Sequence, residues 1–325
     1  MAEYYIGVDL GGTNIAVGIV DADYHIVKKS SVPTLAKRGA EAVIADMASL
    51  CVKMCGEMGL DINNDISGIG IAAPGTVNPA TGVVEYSNNI KMDNTPMAEM
   101  FSSCCGVPAD RIIIGNDANF AALGEYVNGG AKGSESAVMI TLGTGVGGGV
   151  VQNGKILTGC AFGGAELGHT VIEFGGRQCT CGRRGCFEAY SSATALVALT
   201  KEKYAVTKDT LMHKMTNGDI GLVGGKTAFA AMKQGDETGA EVVNTYIGYL
   251  ACGIANMINI FQPEVFLIGG GVCNEGDNLL VPLRKRVAEQ IYSRDHVLKT
   301  RISVAELGND AGIIGAAAAI KDKLA

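Results

Sequence analysis

YYIGVDLGGTNIAVGIVD, residues 4–21, is apolar at every second position on both sides of a glycine turn. Ile6 and Val8 precede the turn Asp9-Leu-Gly-Gly-Thr-Asn14, and Ile15, Val17 and Ile19 follow it. A period of two on each flank predicts strand, turn, strand. A dinucleotide fingerprint or a Walker loop would need a helix after its glycines, and the Walker loop a Gly-Lys-Ser/Thr ending; neither is present. The reading is a hairpin whose tip, with Gly11, Gly12, Thr13 and Asn14, offers backbone N–H groups and a hydroxyl to an anion.

The same pattern returns in AVMITLGTGVGGGVVQNGKI, residues 137–156, with Gly143, Thr144, Gly145 and Gly147 at and after its turn. A third glycine cluster, residues 269–271, follows the apolar run Glu264–Ile268. Matched hairpins predict a duplicated unit, two lobes each presenting a phosphate-holding tip to a shared central cleft. Between the hairpins, Val43, Met47, Leu50, Cys51, Met54 and Met58 at three- and four-residue spacings predict an amphipathic helix. Strands are expected at Ser67–Ala73, stopped by Pro74-Gly75, and at Arg111–Gly115, running into Asn116-Asp117 and a helix. Glu237–Phe261 reads as a helix closed by Pro263, and a last helix begins near Asp310. Strands alternating with helices predict α/β architecture. The expected division is a smaller lobe of residues 1–118 plus 305–325 and a larger lobe of residues 119–304, with a hinge near 117–119.

Composition narrows the function. The 325 residues are 47% hydrophobic and 18% charged with a net charge of −7, which describes a globular acidic chain without the basic stripe of a nucleic-acid binder. MAEYYIGVDLGG enters strand pattern by Tyr4, without the charged and apolar regions of a signal peptide, and no apolar run of about 18 residues suits a membrane span. A cytoplasmic chain with neither membrane nor nucleic-acid partner is expected. In that compartment the ten cysteines are not a disulfide framework. Cys51, Cys55, Cys104, Cys105, Cys160, Cys252 and Cys273 have apolar neighbours and are read as small buried hydrophobes.

The remaining three lie in GHTVIEFGGRQCTCGRRGCFE, residues 168–188. Cys179, Cys181 and Cys186 share one loop whose glycines, Gly182 and Gly185, permit a tight path. His169 can complete a tetrahedral Cys₃His zinc site, closed and therefore structural. A disulfide is disfavoured, because Cys179 and Cys181 are too close in sequence for unstrained pairing. The second ring nitrogen of His169 could meet a substrate hydroxyl. The loop would also bring Glu166 and Glu188 to one polar pocket, a set able to bind several hydroxyls in fixed positions. Asp9 has two readings: a turn-capping residue, or a Mg²⁺ ligand directly or through water. Asp117 also has two: a helix N-cap, or a base at the carboxyl end of a strand that takes the proton of a hydroxyl attacking a γ-phosphoryl group.

These residues resemble the ROK family of repressors, open-reading-frame proteins and sugar kinases, across essentially the whole chain. The most specific part is Glu166-x-Gly168-His169-x₉-Cys179-x-Cys181-Gly182-x-x-Gly185-Cys186-x-Glu188, similar to that family's sugar- and zinc-binding signature. The resemblance implies a two-lobed hexokinase/actin-like, ribonuclease-H-like fold and ATP-dependent phosphorylation of a hexose at its 6-hydroxyl. Glucose is the first candidate substrate; fructose, mannose, allose and N-acetylmannosamine are alternatives. It implies Asp117 as general base and Gly75, Asn89, Asn116, Glu166, His169 and Glu188 as sugar contacts. His169, Cys179, Cys181 and Cys186 would be the zinc ligands. Both hairpins, with Asp9, Gly270 and Gly271, would hold ATP and its Mg²⁺, and the assembly would be a homodimer or tetramer. Asn14 departs from the many members that carry Lys there, which leaves one positive charge fewer near the phosphates. A sugar-sensing repressor would need a helix-turn-helix segment, for which a strand from Tyr4 leaves no room. An actin-like ATPase would have no use for the zinc loop.

Overall fold

A computed structural model describes residues 3–87, 90–296 and 299–325. The opening pattern forms its hairpin: β1 (Tyr4–Leu10) and β2 (Asn14–Asp21) pair antiparallel, with Val8 opposite Val17 and Ile6 opposite Ile19. β3 (Ile26–Pro33) adds antiparallel to β2, half-buried and exposed positions alternating along it as on an edge strand with one wet face. Helix α1 (Ala40–Glu57) leads to β4 (Ile66–Ala73), which pairs parallel with β1. A small ribbon of β5 (Thr76–Asn78) and β6 (Val83–Tyr86) and helix α2 (Met97–Cys105) follow. β7 (Ile112–Asn116) then joins β4 in parallel and runs directly into α3 (Asp117–Asn128). The sheet order is β3-β2-β1-β4-β7. Arg111, expected in the last strand, lies one residue before it, where its guanidinium donates to the carbonyls of Asn63, Ile66 and Ser67.

The second hairpin is β8 (Ser136–Leu142) and β9 (Val146–Gln152), extended by β10 (Lys155–Ile156). Helices α4 (Glu188–Ser191), α5 (Ala193–Val206), α6 (Leu211–Met215), α7 (Thr227–Lys233) and α8 (Glu237–Phe261) precede β11 (Val265–Gly269). After α9 (Asp277–Gln290) and β12 (Arg301–Val304), α10 (Ala311–Leu324) ends the chain. The second sheet has the order β10-β9-β8-β11-β12. Asp236 caps α8 by accepting from Gly239 N (2.6 Å), and Gln262 ends it in the left-handed region just before Pro263.

The chain divides into two compact units, one of Met1–Ala137, Gly149–Ala165 and Ala305–Ala325, the other of Val138–Gly148 and Glu166–Val304. The first therefore runs through α3, past residues 117–119. In that unit the α1 stripe of Val43, Met47, Cys51 and Met54 is buried against Ile6, Val8, Ile15 and Val17. Each such aliphatic side chain contributes roughly 1.5–3 kcal/mol. Tyr5 and Val20, on the opposite face, meet Ile313, Ala317 and Ile320 of α10. That helix lies unusually close to the sheet: a Cβ at Gly7 or Gly70 would sit 1.9 Å from the carbonyl oxygen of Ile313 or Ala316. Glu125, fully buried on α3, accepts from Gly130 N (2.8 Å), Glu306 N (3.1 Å) and Leu307 N (2.7 Å), fastening α3 to the C-terminal segment.

Among the described residues no helix is long and apolar enough to cross a membrane. The cysteine expectation needs correction. Cys51, Cys55 and Cys273 are buried, but Cys104 and Cys160 are exposed, and Cys105 and Cys252 are partly so. Cys104 follows Ser103 on the wet side of α2, and Cys160 lies in the loop after β10.

Candidate active site

The first unit brings together a glycine turn and two acids. Gly11 N donates to Asn14 O (3.0 Å), closing the β1–β2 turn with Gly12, Thr13 and Asn14 exposed. The turn rests on Thr34, which is fully buried; its Oγ1 donates to Gly11 O (2.6 Å) and its N to Thr13 O (2.8 Å). No sequence signal had marked Thr34. Asp9, beneath the turn, faces the start of α10: a Cβ at Gly312 would lie 2.8 Å from its carboxylate. Burial, and then repulsion from Asp117, push its carboxyl up to about 6, with Lys29 opposing them. A cation beside the carboxylate would relieve that cost.

Asn116 and Asp117 stand where β7 gives way to α3, and the capping expectation for Asp117 is corrected. The cap is Asn116, whose Oδ1 accepts from Asn119 N (3.0 Å) while its Nδ2 donates to Gly75 O (3.1 Å). Asp117 is the first helical residue, its Oδ1 oriented by Ala118 N (2.8 Å). With capping assigned to its neighbour, the carboxylate is held at the carboxyl end of a parallel strand, where open α/β sheets bind ligands.

In the second unit Gly143 N donates to Gly145 O (3.0 Å), closing the β8–β9 turn, and Ala193 N at the start of α5 donates to Gly143 O (2.9 Å). Gly270 is packed against the end of β8, since a Cβ there would lie 2.3 Å from Leu142 O; Gly271 faces open space, and Gly147 is on β9. The turn is braced by Glu188, the first residue of α4. Its Oε2 accepts from Val146 N (2.9 Å), and a Cβ at Gly145 would come within 2.3 Å of that oxygen. Its Oε1 accepts from Thr180 Oγ1 (3.0 Å) and the Cys179 thiol (3.6 Å). Thr180, another residue the sequence did not mark, thus ties the cysteine loop to the glycine turn.

The loop gathers the residues its spacing suggested. The ligand atoms of His169, Cys179, Cys181 and Cys186 all lie within 4.8 Å of one another. His169 Nδ1 is 3.7 Å from Cys179 Sγ, and Cys181 Sγ is 3.6 Å from Cys186 Sγ. Cys179 N to Arg183 O (2.8 Å) and Gly185 N to Arg177 O (2.8 Å) fold the loop back on itself. Three sulfurs and an imidazole so close are the donor set of a closed tetrahedral metal centre. Glu166 is exposed just before the short helix Leu167–His169, its carbonyl accepting from His169 N (3.1 Å). Asn89 lies outside the described residues.

Comparison with known proteins extends this picture over the whole chain. The family model described as "ROK family" matches residues 5–323. A glucokinase of Thermotoga maritima is 37% identical over 320 residues, covering 98% of each chain. A glucokinase of Halalkalibacterium halodurans is 35% identical, covering 99% of this chain and 96% of its own. Among solved structures, the ROK family glucokinase from Streptomyces griseus in complex with glucose and AMPPNP superposes with a TM-score of 0.79 at 32% identity, covering 98% of this chain and 99% of that one. The mixed α/β fold is the two-lobed actin-like sugar-kinase fold of such structures.

Proposed function

This chain belongs to the ROK family, and we propose that it is an ATP-dependent glucokinase, transferring the γ-phosphoryl group of ATP to the 6-hydroxyl of glucose. The observation that carries the proposal is the likeness to glucokinases at 37% and 35% identity over nearly the full length of both partners. The Asp117 carboxylate at the end of β7 supports it chemically.

Asp117 takes the proton of the sugar 6-hydroxyl as O6 forms its bond to the γ-phosphorus; the bond to the β,γ-bridging oxygen breaks and ADP leaves. The Ala118 N–H bond holds the base in one orientation. Gly75, Asn89, Asn116, Glu166, His169 and Glu188 are the sugar contacts of this proposal. Glu188 accepts from Val146 N and Thr180 Oγ1, and a carboxylate with about four acceptor sites has capacity for a sugar hydroxyl as well. The two glycine turns, with Gly270 and Gly271, cradle the phosphates. Asp9 would hold Mg²⁺, whose charge offsets that of the phosphates. His169, Cys179, Cys181 and Cys186 would hold Zn²⁺ as a structural ion that keeps the loop in shape. Action in the cytoplasm as a homodimer belongs to the same proposal.

The test is sugar-dependent ADP release over glucose, fructose, mannose, allose and N-acetylmannosamine. Glucose is expected to give the highest kcat/KM; no sugar-dependent release would end the kinase reading, and a faster rival sugar would move the substrate. Asp117→Ala should lower kcat by about 10²–10⁴-fold with sugar binding retained. Near-normal turnover in that variant would overturn the base assignment.

A further inference from the structure

Glu188 is held at both carboxylate oxygens by residues of its own unit. Oε2 accepts from Val146 N (2.9 Å) at the turn between β8 and β9. Oε1 accepts from Thr180 Oγ1 (3.0 Å) and, at a longer 3.6 Å, from the Cys179 thiol, a weak donor. The torsion that turns a glutamate's carboxylate plane is soft, with broad minima, so a single bond leaves the plane free to swing. A second bond at the other oxygen stops it. Both residues that meet at Oε1 stand on fixed backbone. Thr180 lies inside a turn closed by Gly182 N to Cys179 O (3.1 Å), and Cys179 N is itself tied to Arg183 O (2.8 Å). Glu188 opens α4, where Ser192 N returns to Glu188 O (3.2 Å). Glu188 is half-buried and Thr180 exposed beside it, so their bond faces solvent. The Cys-x-Cys spacing asks for no hydroxyl at its middle position, so the metal loop does not account for Thr180.

We propose that Thr180 is a positioning residue of the sugar site. By donating to Oε1 it fixes the plane of the Glu188 carboxylate and aims the acceptor capacity that remains at one hydroxyl of the sugar. At an sp² oxygen the donated hydrogen prefers to lie near that plane, so whatever sets the plane sets where a hydroxyl must stand. Capacity does remain: a carboxylate has about four acceptor sites, and the donors from Val146, Thr180 and Cys179 leave at least one open. This role rests on Glu188 being a sugar contact of the proposed kinase, and it adds the group that orients that contact.

Thr180→Val keeps the shape of threonine and removes the donor, whereas Thr180→Ser keeps the donor. Glucose titrated calorimetrically into the full chain, without ATP, is expected to bind Thr180→Val about 5-fold more weakly than the parent, the worth of one ordinary hydrogen bond. Thr180→Ser should stay near the parent. In sugar-dependent ADP release the KM for glucose should rise by the same factor at unchanged kcat, because the carboxylate meets the sugar before and during transfer alike. Deoxyglucoses lacking the hydroxyl at carbon 1, 2, 3 or 4 separate aiming from packing. One of them lacks the hydroxyl that Glu188 accepts, and with that sugar the parent and Thr180→Val should bind alike. The other three should keep the gap seen with glucose. No gap with glucose, a gap equal across glucose and all four deoxy sugars, or a Thr180→Ser as weak as Thr180→Val would overturn the role. A parent that binds glucose yet releases no ADP would remove the kinase reading alone, and the titrations would still decide the part played by Thr180.

Discussion

The turn between β1 and β2 and the turn between β8 and β9 are each closed by one backbone hydrogen bond, Gly11 N to Asn14 O and Gly143 N to Gly145 O, both 3.0 Å. Their supports have nothing in common. The first rests on an uncharged hydroxyl, Thr34 Oγ1, reaching Gly11 O from the end of β3. The second rests on a carboxylate, Glu188, which also accepts from Thr180 and Cys179 in the cysteine loop. The two turns also close over different spans, three residues in the first and two in the second, so both the loop and its brace differ. The charged brace makes the second turn depend on the loop that gathers His169 and the three cysteines. The first turn is held instead by Thr34, a residue of its own unit.

The hardest way to break that asymmetry is to remove the ion. Freshly purified protein is expected to carry one zinc per chain by elemental analysis. Cys186→Ser should lose it, melt earlier in calorimetry and lose more than about 100-fold in kcat/KM, since coordination energy in such loops is folding energy. Full activity without bound metal would end the structural-ion proposal. Glu188→Ala comes next. It strips the acceptor from Val146 N, and a hydrogen bond to a charged group is worth about 1.5–3 kcal/mol, or roughly 10–150-fold in the KM for ATP. Glu188→Gln keeps an acceptor in place and should recover most of that loss. If alanine and glutamine behave alike toward ATP, the carboxylate does not position the turn.

The difference between the braces also marks what the sequence could reveal. Both turns were legible, because period-two flanks and glycines act within a few residues. The α8 helix, Glu237–Phe261, was legible because the Pro263 that closes it is a local signal, while its Asp236 cap emerged only in the structure. The metal loop was legible through its Cys-x-Cys-x₄-Cys spacing, which few other structures would require. Thr34, Thr180 and Glu125 were not. Each is an ordinary polar residue whose partners come from elsewhere in the fold: Gly11 for Thr34, Glu188 for Thr180, the 306–307 backbone for Glu125. Asn116 was noted but its capping duty was assigned to Asp117, because adjacent Asn and Asp are both good caps and only the backbone angles tell which residue starts the helix.

The acid beneath the first turn sharpens the comparison further. Asp9 is raised from its ordinary 3.8 to about 6, so between those values the unfolded chain ionises first and stability falls as pH rises. Above pH 6 the cost is constant, at about 2 kcal/mol once partial solvent contact is allowed for. Asp9→Asn should therefore melt higher than the parent at pH 8, with the gap closing as pH falls from 6 toward 4, while activity drops. Magnesium should stabilise the parent and leave the variant unmoved. A variant less stable than the parent at pH 8 would mean that Asp9 is a favourable structural contact and that the cation reading is unsupported.

Thr34→Val is the smallest change and the most direct comparison with Glu188→Ala. Valine keeps the shape of threonine but leaves Gly11 O without its 2.6 Å donor, a loss of about 1 kcal/mol, or roughly 5-fold in the KM for ATP. Thr34→Ser retains the hydroxyl and should stay near the parent, which separates loss of the bond from loss of packing at a fully buried position. Zinc content should be the same in all three proteins, because the Thr34 bonds go to Gly11 O and Thr13 O and to no residue of the cysteine loop. An effect of Thr34→Val larger than that of Glu188→Ala would reverse the ranking of the braces. The neutral hydroxyl would then be the group that holds a phosphate cradle in shape, and the carboxylate would be left with the sugar alone.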